Sequence, residues 1–490
     1  GSLAFAGAQW GSASFGARYP EKLWDGGFAP RLGLAYAVSP KTVVRAGYGI
    51  FYQEQYYPGW NAGSSLDGFN ATPSFSSGLG GMQAAFLLSQ GFPQNFSHPP
   101  FISPSADNGQ GATMYRPFDA NRLPYSQQWN LTIGHQFTSN FYINASYVGT
   151  KGSRLLSNVA PLNAINPSLL SMGPELFDQF QSGQSTLDGV AAPYAAWAAQ
   201  STCAPTVAQA LLPYPQYCSA LAGEDENAGS SIYHSFQLKV EKRYSHGFWL
   251  LGSYTDAKLL STTDDIQVNS VGGAQGGVIS PFQRSRNKSL SSDDVPQTLS
   301  VAAIYALPFG RGQRFLNTGG VLGRLVGGWG ISSIFHVNSG VPFYFRSSTC
   351  NVPSQFDAAC LPSILPGANP FAQSKGSFDP SAPLLNAAAF QNPNSFNFYL
   401  GDGPRISNLR GFGYHDMDFA LSKDSRITER LTLEFRGEFF NVWNWHSYVC
   451  QQFCQGALAF TNDVSSPSFG MWNGSVSTPR NVQLSMYFKF

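Results

Sequence analysis

The chain has 490 residues, of which 43% are hydrophobic, 14% are aromatic and only 12% are charged, and its formal net charge is +1. Soluble domains usually carry about twice that charged fraction, and no run of about 18 apolar residues is present that could form a membrane-spanning helix. A net charge near zero gives no electrostatic case for nucleic acid, so we expect no nucleic-acid partner. The composition is aromatic, glycine-rich and weakly charged, and the class of protein that remains is one whose strands cross a membrane.

Alternation of apolar and polar residues predicts eleven strands in chain order. In the last of them, Val482, Leu484, Met486, Phe488 and Phe490 fall on one face. A period of two over about ten residues is the length of a tilted transmembrane strand. One such segment fits a soluble sheet equally well, but a series favours a barrel. The predicted strands span residues 30–38, 42–53, 126–137, 141–149, 232–244, 248–259, 297–307, 327–338, 414–422, 430–442 and 480–490.

Short and long links alternate between these strands, and this pattern indicates an orientation. Transmembrane barrels have short periplasmic turns and long extracellular loops. We therefore predict an all-β fold, an antiparallel transmembrane β-barrel in the outer membrane with lipid as its immediate partner. The first predicted strand already runs inward and the strand count is odd, which would leave open edges. Residues 1–20 also lack a signal peptide, so we interpret residues 1–490 as a processed chain or as the C-terminal part of a larger barrel.

The six cysteines form three close pairs, and all of them fall in long links. This spacing predicts three extracellular disulfides formed in an oxidising compartment. A metal site is the alternative, but no histidines stand at ligand spacing. The predicted pairs are Cys203 with Cys218, Cys350 with Cys360, and Cys450 with Cys454.

Several short segments, in order along nearly the whole chain, resemble the C-terminal half of Oar-like TonB-dependent receptors. They are 28–33 (FAPRLG), 45–52 (RAGYGIFY), 124–130 (PYSQQWN), 147–152 (YVGTKG), 253–255 (SYT), 339–343 (SGVPF), 435–444 (FRGEFFNVWN) and 479–480 (PR). The resemblance implies a barrel of about 22 strands with an N-terminal plug and energy supplied by the TonB complex. The chain has no segment resembling the plug, the TonB box or the regulatory-like domain, so TonB is expected to act through a missing N-terminal region.

Two functions follow as hypotheses. The first is the barrel portion of a receptor for active uptake of a large solute, namely a glycan, a peptide or a siderophore. The second is a structural or adhesive outer-membrane protein that acts through its long surface loops. The solute itself cannot be identified from the residues.

Charged residues on the polar faces of the strands are candidates for the lumen of the barrel. One interpretation is that they contact a plug or a solute. The other is that they are solvated and paired with one another, at a few tenths of a kcal/mol per pair. The lumen-facing candidates are Arg45, Lys239, Glu241, Arg243, Glu434, Arg436 and Glu438.

Aromatic side chains suggest three further roles. Those in two long loops could contact a sugar or a peptide, or could simply pack within the loops; they are Tyr56, Tyr57, Trp60, Phe396, Phe398 and Tyr399. Those near strand ends fit an interfacial girdle: Trp129, Tyr147, Trp249, Tyr254 and Trp329. The C-terminal Phe490, with Phe488 and Met486, resembles the signal that the barrel-assembly machinery reads.

Asp264-Asp265 and His415-Asp416 are similar to the carboxylate and histidine pairs of an outer-membrane protease. Asp416 and Asp418 also belong to the family-like stretch that begins at Arg410-Gly411, which accounts for them without catalysis. We therefore expect no catalytic residue, no metal site, no cofactor and no enzymatic activity.

Overall fold

The computed structural model describes residues 24–53, 74–95, 114–115, 122–155, 157, 161–218, 220–223, 227–263, 279–317, 319–358, 360–391, 400–448, 459–474 and 476–490. In these ranges eleven long strands lie where the alternation predicts them. The main difference is that two strands are longer at their ends than predicted, continuing to Leu155 and Arg426. The eleven strands are β1 Arg31–Ser39, β2 Thr42–Tyr52, β3 Tyr125–Thr138, β4 Phe141–Leu155, β5 Gly229–Ser245, β6 Phe248–Ser261, β7 Gln297–Ala306, β8 Trp329–Asn338, β9 Tyr414–Arg426, β10 Thr432–Phe440 and β11 Asn481–Lys489.

The eleven strands form one sheet in which each strand pairs antiparallel with its neighbour in sequence. The register aligns the apolar faces predicted strand by strand: Leu131 lies opposite Ala46 and Tyr147, and Phe435 lies opposite Met486. This common face is exposed at Leu34 (63%) and Leu484 (67%), as a lipid-facing surface must be. Within the described residues the outer edges of β1 and β11 pair with no further strand. The antiparallel barrel sheet predicted from the sequence is confirmed.

The two ends of the sheet differ, and we call them the turn end and the loop end. At the turn end four of the five links are short, and the link between β7 and β8 is longer. Between β5 and β6, for example, His246 (φ 51°) and Gly247 (φ 77°) form a two-residue turn. Positive φ at both positions is what a hairpin of this length requires, and glycine reaches it at little cost. At the loop end the links are long and carry their own structure.

Helices are short, and none in the described residues is long and apolar enough to cross a membrane. The α-helices are α1 Trp197–Gln200, α2 Val207–Ala210 and α3 Gly320–Val326. The 3-10 segments are Leu79–Gly81, Leu88–Gln90, Pro167–Phe177, Arg284–Asn287, Ser354–Phe356, Lys375–Ser377 and Ala387–Ala389. Two-residue strands pair Met114–Tyr115 with Ala222–Gly223, Thr186–Leu187 with Val190–Ala191, Ser363–Ile364 with Phe390–Gln391, and Ser289–Leu290 with β6.

The hydrophobic core of the molecule lies in the long loops rather than in the sheet. The β8–β9 and β10–β11 loops pack their apolar side chains against each other into one buried cluster. The rings of Phe343 and Phe460 meet edge to face at 5.6 Å, and those of Phe345 and Phe390 lie 4.7 Å apart. We call the folded loops at the loop end the cap. The cluster contains Phe343, Tyr344, Phe345, Leu384, Leu385, Ala389, Phe390, Ile406, Ala459, Phe460, Val464 and Phe469.

A second cluster joins the β4–β5 loop to the same cap. Leu176 and Ala208 of that loop pack with Phe356 and Leu400 of the β8–β9 loop. Disulfides link Cys203 to Cys218 and Cys350 to Cys360, with Cα separations of 5.7 and 6.1 Å. Cys450 and Cys454 lie outside the described residues.

Two arginines attach the cap to the strands beneath it. Arg405 is 3% exposed and donates to the carbonyl oxygens of Ser261 (2.9 Å) and Asn287 (3.1 Å). Arg410 donates to the carbonyl oxygen of Asp294 (2.7 Å) and forms an ion pair with its carboxylate. The Asp294 carboxylate also accepts from the backbone N–H of Leu259 in β6. The cap is therefore fixed to the loop end by buried, charged hydrogen bonds.

The structure corrects one assignment to the aromatic girdle. A register row runs from Trp249 through Ile304, Ser332 and Ala420 to Glu438, which places Trp249 on the polar face, away from lipid. The girdle assignment of Trp249 was wrong because residue type was considered without the two-residue period, which puts Phe248 and Leu250 outward.

The lipid-facing surface predicts a depth-dependent response to charge. Leu484 lies mid-strand in β11, whereas Leu433 is the second residue of β10 from the turn end. Leu484→Arg should lower the free energy of unfolding by about 2–4 kcal/mol, and Leu433→Arg by only about 0–1 kcal/mol, because the cost falls toward the interface. Denaturant unfolding in lipid vesicles measures both. Gln483→Arg, on the opposite face, is the control, and a cost equal to that of Leu484→Arg would contradict the assignment of faces.

The Arg410–Asp294 pair predicts a non-additive effect on the cap. Arg410→Met leaves the Asp294 carboxylate, 2% exposed, without its charge partner, which should destabilise the cap by about 3–5 kcal/mol. The double variant Arg410→Met/Asp294→Asn should lose less, because no charge is stranded. Hydrogen exchange of residues 339–358 measures cap opening, with amides of β10 as the internal reference. Equal losses in the two variants would show that the pair is not coupled.

Three disulfides are expected in the mature protein. Non-reducing peptide mapping should recover Cys203 with Cys218, Cys350 with Cys360, and Cys450 with Cys454, each within one loop. In the chain-entropy model each bridge should stabilise its loop by roughly 2–3 kcal/mol, measurable as faster loop proteolysis after reduction. Free thiols, or pairs that join different loops, would contradict this expectation.

Candidate functional site

The candidate site lies on the polar face of the sheet, and the register places all the predicted lumen residues there. The row of Arg45 runs across the sheet from Ala35 on β1 to Tyr414 on β9. The row of Lys239 ends at Asp416, and that of Glu241 ends at Asp418. Glu434, two residues from Arg436, lies opposite Asp424 and Tyr487.

Near the turn end these charges neutralise one another. Glu434 is 5% exposed; its carboxylate lies 2.6 Å from the Lys489 ammonium and 2.9 Å from the Arg436 guanidinium. Arg436 also reaches Glu438 at 3.6 Å, and Lys489 reaches Asp424 at 3.6 Å. The contacts of Lys489 cross between strands, whereas those of Arg436 run along β10. This network holds β11 against its neighbours.

A second set of paired charges lies on β5. The Glu241 carboxylate is 3.4 Å from the Lys239 ammonium and 3.7 Å from Arg243. Because these side chains are largely exposed, each pair contributes a few tenths of a kcal/mol at most. The interpretation of these residues as solvated, mutually paired charges therefore fits their geometry.

At the loop end of the same face is a cavity of about 520 Å³ with an acidic wall. Asp416 and Asp418 line it from β9, and neither carboxylate forms an ion pair within the described residues. Phe440 supplies an aromatic wall, and Arg480 also lines the cavity, where its guanidinium donates to the Val442 carbonyl oxygen (3.3 Å). We call this cavity the mouth pocket. Its lining is Tyr414, His415, Asp416, Asp418, Phe440, Asn441, Ser477, Thr478, Pro479, Arg480 and Asn481.

Asn441 fixes the wall of the mouth pocket. It has a left-handed backbone (φ 48°), which asparagine adopts more readily than most residues. Its backbone N–H donates to the Asp418 carboxylate (3.1 Å), and its side-chain amide donates to the carbonyl oxygens of Trp445 (2.9 Å) and Thr478 (3.1 Å). Asn441 was noted in the sequence only as part of a family-like segment, inside the predicted strand 430–442. The signal that could have marked it is the residue type, since asparagine is favoured where a strand ends in a turn.

A Ser–His–Asp row leads into the pocket but lacks the features of a hydrolase. Ser300, His336 and Asp416 lie directly opposite one another on β7, β8 and β9, and the Ser300 hydroxyl is 2.7 Å from His336 Nδ1. Acyl transfer also needs free N–H groups aimed at the oxyanion, and in these three paired strands the backbone groups belong to the ladder. We interpret the row as part of the polar face, in which the Ser300 hydroxyl pairs with His336.

His415 points away from its neighbour Asp416, and its ring packs on Trp445 at 4.8 Å. Asp264 and Asp265 lie outside the described residues. Among the residues that the structure describes, no group of three or more His, Cys, Asp or Glu side chains is arranged to hold a metal ion.

Charged groups in the cap are held by specific contacts. Burial acts to raise the pKa of Asp463, but hydrogen bonds from Ser465 and Ser348 outweigh it and hold the pKa below its usual range. Burial, with a smaller contribution from Arg410, lowers the pKa of Lys375, whose ammonium donates to the carbonyl oxygens of Arg410 (2.6 Å) and Gly411 (3.0 Å). Burial raises the pKa of Tyr344 in the first cluster.

Other predicted site residues lie apart from the mouth pocket. The loop candidates Tyr56, Tyr57, Trp60, Phe396, Phe398 and Tyr399 fall outside the described residues. At the C-terminus, Met486 and Phe488 are on the lipid-facing side and Phe490 is 97% exposed. Sequence reasoning missed an apolar patch on the polar face, made by Trp249, Ile304 and Ile334. Breaks in the polar half of the alternation are the signal for it.

One protein family matches nearly the whole chain. A family model described as "Outer membrane beta barrel domain" matches residues 1–483. No curated protein sequence matches the chain. Similar solved structures include P. aeruginosa FpvA bound to heterologous pyoverdines (8% identity, TM-score 0.35, 94% of this chain and 32% of that one). Others are the ferric-catecholate import receptor Fiu of E. coli K12 (10%, 0.35, 94% and 34%) and the outer membrane transporter YddB of Escherichia coli (10%, 0.39, 94% and 40%).

The chain thus spans between 32% and 40% of the length of these three structures. Since the family model matches nearly all of the chain, and the sheet is antiparallel with one lipid-facing surface, the chain belongs to the outer membrane beta barrel domain family and is located in the outer membrane.

Proposed function

We propose that residues 1–490 are the C-terminal barrel portion of an outer-membrane receptor for TonB-dependent uptake of a large solute. The mouth pocket carries this proposal: it joins an acidic cavity at the extracellular end to a polar sheet face that leads toward the periplasm. The turn end is then periplasmic and the cap is extracellular. The TonB complex would act through a region outside residues 1–490, and the barrel-assembly machinery would insert the chain. No enzymatic step is part of the proposal.

The charge of the pocket indicates what part of the solute it would receive. Most of the described lumen carboxylates are in ion pairs, so they offer little to a ligand. Asp416 and Asp418 form no ion pair within the described residues and keep acceptor positions open, although Asp418 accepts one hydrogen bond from Asn441. Carboxylates next to hydroxyl, amide and aromatic groups favour ammonium or hydroxyl groups over phosphate or carboxylate. A glycan, a peptide amine or the backbone of a siderophore could supply such groups.

The competing function is adhesion by the folded cap. The two hypotheses differ in their need for energy, since uptake requires the TonB complex and the proton gradient, whereas adhesion requires neither. In the native host, depletion of large solutes from spent medium should depend on this gene and should stop in a strain without TonB or with a proton uncoupler. Depletion unaffected by TonB loss, together with reduced cell attachment in a deletion strain, would favour adhesion.

The unpaired carboxylates predict a selective loss of uptake. Asp416→Asn/Asp418→Asn in the full-length protein should weaken capture of the depleted solute by about 10- to 100-fold, because a hydrogen bond to a charged group is worth about 1.5–3 kcal/mol. The rate of solute depletion at limiting concentration measures this loss. Asp424→Asn, on the same face of β9 but paired with Lys489, is the matched control. Equal effects of the two changes would contradict a role for the mouth pocket.

A further inference from the structure

The β7–β8 link differs from the other turns at the periplasmic end in length, charge and exposed apolar surface. The link runs from residue 307 to residue 328. Its residues 308–328, which we call the foot, contain α3, and Thr318 lies outside the described residues. Its sequence includes Arg311, Arg314 and Arg324 and no Asp or Glu. A turn of net positive charge at this position is not required by the hairpin geometry, so it calls for another explanation.

The foot exposes large apolar side chains beside these arginines. Val321 is 74% exposed, Leu325 60% and Leu322 56%, all on α3. Phe315 and Leu316, in the preceding turn, are about half exposed, and the Arg314 guanidinium lies 5.4 Å from the Phe315 ring. An exposed apolar surface bordered by cations alone is the pattern of an interfacial membrane segment.

Hydrogen bonds place the foot on the lipid-facing side of the barrel. The register puts Trp329 opposite Lys423, on the same face as Phe435 and Met486. The Trp329 indole N–H donates to the Leu325 carbonyl oxygen (3.0 Å). The Lys423 ammonium donates to the carbonyl oxygens of Arg324 (2.8 Å) and Gly327 (2.7 Å). The C-terminus of α3 is therefore held against the outward face at the periplasmic end, continuous with the surface in contact with lipid.

The foot is also fixed in shape rather than free to fold into the lumen. The backbone of Gly310, with φ 103°, meets that of Gly327, and a Cβ at Gly310 would lie 2.5 Å from the Gly327 Cα. Gly310 N–H donates to the Phe315 carbonyl oxygen, and Phe315 N–H donates to that of Pro308, both at 3.0 Å. These contacts close the first half of the foot onto the base of α3.

We infer that the foot is a binding surface for anionic phospholipid in the periplasmic leaflet. Val321, Leu322 and Leu325 enter the boundary between headgroups and acyl chains, and Arg311, Arg314 and Arg324 contact lipid phosphates. Two features favour lipid over a protein partner: continuity with the lipid-facing surface, and charge of one sign, which complements an anionic headgroup layer.

Native mass spectrometry of the full-length protein, delipidated in detergent and titrated with phosphatidylglycerol, tests the inference. The wild-type protein should retain this lipid, and Arg311→Gln/Arg314→Gln/Arg324→Gln should bind it about tenfold or more weakly, since each cation near a membrane surface contributes. Phosphatidylcholine binding should change little. The matched control is Lys41→Gln/Arg426→Gln/Arg430→Gln, which removes three cations from two other periplasmic turns and the adjoining end of β9. Equal phosphatidylglycerol binding by wild type and the foot variant would overturn the inference.

A second measurement separates lipid from protein and does not depend on a triple variant folding. A photo-crosslinking residue at position 322 in the native host should form adducts with the mass of a phospholipid, whereas the same residue at position 483, on the lumen face, should not. A protein adduct at position 322 as the main product would overturn the inference in favour of a periplasmic partner.

Discussion

Hydrocarbon offers no hydrogen-bond partner to the backbone, and the rest of this structure depends on that constraint. Every strand in lipid must satisfy its N–H and C=O groups on neighbouring strands, so consecutive strands pair in chain order with little freedom in register. A slip of one residue would exchange the two faces; in β11 it would move Leu484 into the lumen and Gln483 into lipid. The register that turns the apolar face toward lipid is therefore the stable one.

The same constraint explains why the strands were predictable and where the prediction failed. In β10 or β11, about ten residues are enough to predict the strand, because one face contacts lipid and the other contacts water, and the sequence alternates accordingly. Trp249 was assigned wrongly because an aromatic near a strand end was read by residue type, although its neighbours Phe248 and Leu250 already occupied the outward face. The period places Leu433 correctly on the outward face. Its depth in the bilayer, near the turn end, depends on the position of the whole hairpin and cannot be predicted from the period.

The cap could not be predicted, because its contacts join segments far apart in sequence. Phe343 packs on Phe460, and Arg405 bonds to Ser261, and neither pair has a local signature. The mouth pocket illustrates the same limit. Asp416 and Asp418 were visible as part of a family-like stretch. The absence of ion-pair partners for them among the described residues, and the hydrogen bond from Asn441 to Asp418, appear only once β9 and β10 are adjacent.

The folded cap also changes how binding at the mouth would be achieved. Loops that order only on binding spend part of the interaction free energy on lost conformational freedom. Here the hydrophobic clusters, the disulfides and the Arg410–Asp294 pair order the loops during folding, so contacts at Asp416 and Asp418 can act on a preformed wall. Sequence change in the cap core would then alter the position of that wall without altering the lipid-facing sheet. In the proposed receptor, selectivity and membrane stability would then depend on different residues, so the loops could diverge while the alternation in the strands stays fixed.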